Sequence, residues 1–93
     1  MLEFTSTHNQ TKLLKGLAYW IADRAYLIER YGRDEPEIKT ADNAIISLFD
    51  KCDELQIPFW VQNTVMAFAE DWRRYKTEYM EIYLRNHRNI NLK

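Results

Sequence analysis

Three side chains of this sequence belong to the types that most often act as nucleophiles, bases or metal ligands, and they are His8, Cys52 and His87. A nucleophilic cysteine needs a nearby base and an electropositive, partly exposed setting. Cys52 instead has two acids close to it, Asp50 and Asp53, and neither histidine is in register with it. The sequence therefore predicts that Cys52 is a small buried hydrophobic residue and not a reactive thiol.

The spacing of acids and histidines gives no metal motif. Helical bundles that hold two iron ions use Glu-x-x-His pairs on inward faces, whereas Glu81 is followed three residues later by Leu84. The acids Asp50, Asp53 and Glu54 lie side by side on the outer face of a predicted helix, where a solvated surface is the simpler interpretation. Because glycine-rich phosphate loops and known catalytic motifs are also missing, we expect a protein without metal, cofactor or catalytic activity.

The basic and aromatic stretch at residues 72–88 is the one segment that suggests a ligand. Positive charge mixed with aromatic surface is typical of sites that follow phosphates and stack bases. Two acids interrupt the stretch and the net charge is −1, so pairing of the bases within the chain or across a dimer is the simplest interpretation, followed by a protein partner and then by nucleic acid. The candidate anion or nucleic-acid contacts are Arg73, Lys76, Arg85 and Arg88.

Length and composition indicate one all-α domain that spans residues 1–93. The chain is 46% hydrophobic and 29% charged, and it has only two glycines and two prolines, whereas a β-sandwich needs many turn residues. A single cysteine and a start without an apolar signal segment favour the cytoplasm. No uninterrupted apolar run approaches the ~18 residues of a membrane span, so no contact with membrane is expected.

Apolar spacing predicts an up-down-up bundle of three helices, at residues 8–31, 35–56 and 58–87. Gly32 is a suitable residue just past the first helix, and Asp34 with Glu37 three residues later resembles a capping box for the second. Pro58 separates the second helix from a long third helix. One stripe runs along that third helix, formed by Val61, Val65, Phe68, Trp72, Tyr75, Tyr79 and Ile82.

The third helix is too long for its companions to cover. With tight turns between the helices, residues 81–93 extend past the bundle, and at ~1.5 Å per residue the segment 81–87 projects by roughly 10 Å. Leu2 and Phe4 are expected at the opposite end, so another chain must cover the apolar residues there. We therefore expect a homodimer, with contact through Trp20, Leu27, Tyr79, Ile82 and Tyr83.

The predicted function is a small non-catalytic helical interaction module, such as a scaffold, adaptor or regulator, that self-associates. The alternative is a nucleic-acid-binding accessory protein that uses the basic aromatic C-terminal helix. The two hypotheses differ in which part of the last helix meets a partner, because the first needs its apolar residues and the second its bases.

Overall fold

The structure is a computed structural model that describes residues 2–93. It contains four helices and two short strands, in the order β1, α1, α2, α3, α4 and β2. Their bounds are β1 Phe4–Thr5, α1 His8–Tyr31, α2 Pro36–Glu54, α3 Phe59–Ala69, α4 Thr77–Arg88 and β2 Ile90–Asn91. The all-α class is confirmed, and the predicted three helices are corrected to four.

Local hydrogen bonds and a glycine backbone conformation explain where helix α1 begins and ends. The Thr7 side chain accepts a hydrogen bond from the Gln10 backbone N–H at 3.2 Å, and the Gln10 side chain accepts one from the Thr7 N–H at 2.8 Å. This reciprocal capping box satisfies two backbone donors that the first turn leaves free. At the other end Gly32 has a φ of 85°, a conformation that glycine adopts without steric cost. The predicted bounds of this helix are confirmed.

Helix α2 lies antiparallel to α1. Arg24 pairs with Asp42 at 2.5 Å, and further along α1 the Gln10 side chain donates to the Leu55 carbonyl at 2.9 Å. The N-cap of α2 is Glu35, and its side chain makes no capping hydrogen bond. The predicted capping box at Asp34 is therefore wrong, and the helix begins instead at Pro36, whose fixed φ suits a first turn.

The predicted third helix is interrupted, and this is the main difference between expectation and structure. Ala69 ends α3, residues 70–76 form turns, and α4 begins at Thr77. An indole to carboxylate hydrogen bond from Trp72 to Glu29 of α1 holds the turn segment, and the Trp72 ring meets the Tyr26 ring edge to face at 4.9 Å. Helix α4 then runs back along α1, where Lys15 pairs with Glu81 at 2.5 Å.

The reversal buries apolar side chains that a continuous helix would leave outside. Met80 and Leu84 of α4 have no exposed surface, and both belong to the core that Leu14 and Leu17 of α1 and Val65 of α3 help to form. A fully buried aliphatic side chain contributes about 1.5–3 kcal/mol relative to an exposed one. The burial of these two side chains offsets the helical hydrogen bonds lost in the turn.

The two ends of the described chain meet, and we call this arrangement the terminal clasp. Strands β1 and β2 are parallel, with Phe4 opposite Ile90 and Thr5 opposite Asn91. The Ser6 N–H donates to the Asn91 carbonyl at 2.9 Å, and Ile90 is fully buried. The predicted overhang of residues 81–93 is therefore wrong, and so is the expectation that Leu2 and Phe4 lie at the opposite end of the molecule.

Among residues 2–93, none of the helices combines the length and the apolar composition that a membrane-crossing segment needs.

Candidate functional site

The side of α4 that points away from the core carries the first candidate surface. Because Met80 and Leu84 face inward, Ile82 points outward and keeps 47% of its surface exposed. Tyr79 keeps 51% of its surface exposed, although one side of its ring lies near the Phe68 ring, with the centroids 5.8 Å apart. Two oppositely charged residues accompany them, Glu78 and Arg85. Within residues 2–93 neither takes part in an ion pair. We call these four residues, Glu78, Tyr79, Ile82 and Arg85, the outer face of α4.

The other predicted contact residues are less accessible. Leu27 keeps only 5% of its surface exposed, so it belongs to the interior of the chain and is not available for the contact predicted for it. Trp20 is half-buried and meets Tyr19 edge to face at 5.5 Å. Tyr83 is also half-buried, since its ring packs on Phe68 at 5.0 Å. Of the five predicted contact residues, only Tyr79 and Ile82 are largely exposed.

Arg73, one of the predicted anion contacts, already has an anionic partner. Both guanidinium N–H groups donate to the Glu29 carboxylate, one of them at 2.9 Å to Oε2, and the Trp72 indole donates to the same carboxylate. Hydrogen bonding from Arg73, followed by that from Trp72, lowers the pKa of Glu29 below its ordinary value. The pair ties the turn segment to α1, so the first role of Arg73 is to hold the chain reversal.

A groove between α3 and α4 forms the second candidate surface, and we call it the α3–α4 groove. It has a larger section of about 530 Å³ and a smaller one of about 150 Å³, and Asn63, Thr64 and Arg88 line both. Leu2, Trp60, His87 and Asn89 complete the larger section, and Ala67, Phe68, Arg74 and Tyr83 complete the smaller one.

The charge of the α3–α4 groove is one-sided. It carries Arg74 and Arg88, while no described Asp or Glu lines either section. Three other surface grooves each include at least one acid. Charges of one sign in a concave surface raise the local concentration of the opposite ion, so an anion is favoured here over the rest of the surface.

Aromatic rings lie beside the Arg74 guanidinium in the groove. The Tyr83 and His87 rings are stacked with their centroids 4.6 Å apart. The Arg74 guanidinium lies over the Phe68 ring at 4.7 Å and the Tyr83 ring at 5.6 Å. Cation and ring attract each other in this geometry, and a guanidinium over a ring still directs N–H groups outward.

The sequence pattern indicated Arg88 as an anion contact, but it did not indicate Arg74. The spacing of Glu70, Arg74 and Glu78 fits ordinary charge pairs along one helix, but the chain is not helical at residues 70–76. The turn directs Arg73 toward α1 and Arg74 toward α3. The two remaining predicted bases are exposed: Lys76 is the N-cap residue of α4, and Arg85 lies on its outer face.

The candidate nucleophiles Cys52, Ser6 and Thr11 lie apart from both surfaces. Cys52 is fully buried, as predicted, and burial, reinforced by the nearby Asp53 carboxylate, raises the pKa of its thiol to about 11. The buried hydroxyls of Ser6 and Thr11 hydrogen bond to each other in the terminal clasp. Within residues 2–93 no group of three or more potential metal ligands converges.

No protein family model matches the chain, and neither a curated protein nor a solved structure gives a match. The functional argument therefore depends on the two surfaces themselves.

Proposed function

We propose that this protein is a non-catalytic interaction module that self-associates through the outer face of α4. The observation that carries the proposal is the exposure of Tyr79 and Ile82, neighbours on that face. The dimer predicted from the sequence depended on an overhanging helix, whereas this proposal depends on a helix that the chain itself holds in place.

The absence of catalysis in the proposal follows from the state of the candidate nucleophile. Only the thiolate of a cysteine attacks an electrophile, and a pKa of about 11 keeps the Cys52 thiol protonated near neutral pH. Its burial also excludes substrate.

A second copy of the chain is the partner that the charges of this face favour. Most homodimers have two-fold symmetry, so the same patch meets itself. In an antiparallel pair of α4 helices with the axis between positions 81 and 82, Ile82 lies beside Ile82 of the second copy. The same axis places Glu78 opposite Arg85 of the second copy, and the reciprocal pair forms as well. One face thus supplies an apolar centre and two complementary ion pairs at its edges.

The proposed contact between two α4 helices involves few residues, so we expect a weak affinity. A standard interface uses about 20–30 residues from each partner, whereas the outer face of α4 as defined above has four. We therefore expect a reversible dimer with a dissociation constant on the order of 100 μM. Such a dimer responds strongly to protein concentration and to salt.

A charge exchange tests the proposal by sedimentation equilibrium from about 10 to about 1,000 μM protein, a range that brackets the expected dissociation constant. Glu78→Arg alone and Arg85→Glu alone each place like charges opposite each other and should weaken the dimer. The double variant restores both pairs with exchanged signs and should recover the wild-type association. Ile82→Asp should give a monomer at every concentration.

Ile46→Asp is the matched control, because Ile46 is an exposed isoleucine on α2, outside the proposed contact. It should leave the association unchanged, and circular dichroism should show that all variants are folded. A wild-type protein that stays monomeric at the highest concentration would refute self-association. A double variant that dissociates as much as the single ones would instead refute this pairing of the helices.

A further inference from the structure

We propose that the α3–α4 groove binds single-stranded nucleic acid. This goes beyond the proposed self-association and uses a different surface, since no residue of the outer face of α4 lines the groove. The observation behind it is that two arginines, Arg74 and Arg88, line a groove where the described residues place no acid.

The position of the cations along the groove fits a phosphate backbone. Arg74 lies near Phe68, in the second half of α3, while Arg88 borders the section that contains Trp60, at the start of α3. Residues 60–68 of a helix span about 12 Å at ~1.5 Å per residue. Arg74 lines the smaller section and Arg88 lines both, so positive charge extends from the smaller section into the larger one.

The walls of the groove supply what the bases of a single strand need. Trp60 is half-buried and lines the larger section together with Asn63. Aromatic surface next to a basic track binds unpaired bases with little regard to sequence. A polyglutamate peptide would use the arginines but has no planar ring to stack on an aromatic side chain.

The groove is suited to a flexible single strand more than to a duplex. Side chains that read a duplex usually project from a helix into the major groove, whereas Arg74 and Arg88 line a concave seam and Arg74 lies over the Phe68 ring. A single strand can bend into such a seam and expose its bases there. We therefore expect weak sequence preference and strong dependence on salt.

Fluorescence anisotropy with a labelled oligouridine of about 12 nucleotides, within the usual site size of such proteins, tests the proposal. Two phosphates neutralised on a single strand predict a slope of log affinity against log salt of about −1.4. Arg74→Ala and Arg88→Ala should each reduce the slope to about −0.7, and Arg74→Glu and Arg88→Glu should each weaken binding about tenfold or more at ~50 mM salt.

Arg33→Glu is the matched control. Arg33 is exposed in the turn between α1 and α2, and its substitution changes the net charge by the same amount as Arg74→Glu or Arg88→Glu. It should change the affinity less than about twofold. Equal losses in Arg33→Glu and Arg88→Glu would show attraction by net charge alone and overturn the assignment of the groove. No anisotropy change at low salt up to about 1 mM protein, a level at which even non-specific binding is detectable, would refute binding altogether.

Two further measurements distinguish nucleic-acid binding from the binding of an acidic peptide and from self-association. A polyglutamate peptide should compete only at much higher concentration than unlabelled oligouridine, and equal competition would overturn the assignment to nucleic acid. The groove variants should sediment like the wild type, and Ile82→Asp should bind the oligonucleotide with unchanged affinity per chain. The two proposals can therefore fail independently of each other.

Discussion

Replacing Ile90 by alanine tests the feature that most changes the shape of the molecule, the terminal clasp. The Ile90 side chain is fully buried in the core cluster that includes Leu84 and Val61, and its residue pairs with Phe4 across the two strands. Alanine keeps the backbone pairing but leaves a cavity where the larger side chain packed. The variant therefore measures how firmly the last residues are docked.

The size of the effect follows from general values for core truncation. An isoleucine to alanine change in a core costs about 2–5 kcal/mol, out of a total stability of about 5–15 kcal/mol for a domain. In a domain of this size each kcal/mol shifts the melting temperature by about 4–8 °C. For a central cost of about 3 kcal/mol, Ile90→Ala should lower the melting temperature by about 12–24 °C.

Thermal and urea unfolding followed by circular dichroism measure the change. Leu2→Ala serves as the control, since Leu2 belongs to the same end of the molecule but keeps 64% of its surface exposed. Its cost should stay within about 0.5 kcal/mol, as for most surface substitutions. Both experiments belong at low protein concentration, so that self-association does not add to the stability of either variant.

A melting temperature for Ile90→Ala within about 2 °C of the wild type would refute the reasoning, because about 2 °C corresponds to less than 0.5 kcal/mol in a domain of this size. The residues after α4 would then lie outside the core, as the sequence pattern predicted, and a second chain would again be needed to cover them.

Two further predictions concern the turn between α2 and α3 and the core beside it. The Cys52 thiol should react with Ellman's reagent at pH 8 only after urea unfolding, because its pKa of about 11 lies above the ordinary value of 9.0. Neutral Cys52 thus contributes stability below pH 9 that is lost as the pH rises toward 11, and Cys52→Ala should lack this part of the pH dependence. Gln62→Ala should lower the free energy of unfolding by about 1–3 kcal/mol, since the buried Gln62 amide donates to the Asp53 carboxylate and the Ile57 carbonyl at 2.9 Å each. The exposed neighbour in Asn63→Ala should cost less than about 0.5 kcal/mol in the same urea titration.

The interruption of the third helix illustrates a limit of periodicity. Trp72 and Tyr75 keep the three and four residue spacing of the apolar stripe, and no glycine or proline marks the break. The segment leaves the helix because Trp72 packs on Tyr26 and hydrogen bonds to Glu29, more than forty residues earlier. Contacts at that separation leave no trace in local spacing.

The sequence did not predict the terminal clasp either, because this too depends on a contact between distant parts of the chain. Leu2 with Phe4 and Ile90 with Leu92 both alternate with polar residues, which is the period of a strand. Two residues of alternation are too short to predict a strand, and a strand has no hydrogen-bonding partner until another meets it. The partner here lies at the other end of the chain.

Some residues of the candidate sites could be predicted from the sequence, and others could not. Sequence spacing alone indicated the exposed Tyr79 and Ile82 and the basic character of α4, because both depend on residue types close together on one helix. It could not separate Arg73 from Arg74, since the turn sends adjacent side chains to α1 and to α3.

The sequence by itself determined the all-α class, the bounds of α1 and the burial of Cys52. Caps, a terminal glycine and apolar periodicity involve residues only a few positions apart, so they can be recognised in the sequence. Only the tertiary structure decided where the third helix breaks, how the two ends join and which bases share a groove. Those outcomes depend on surfaces brought together from distant parts of the chain, where the gain from burying Met80, Leu84 and Ile90 outweighs the local preference for one unbroken helix.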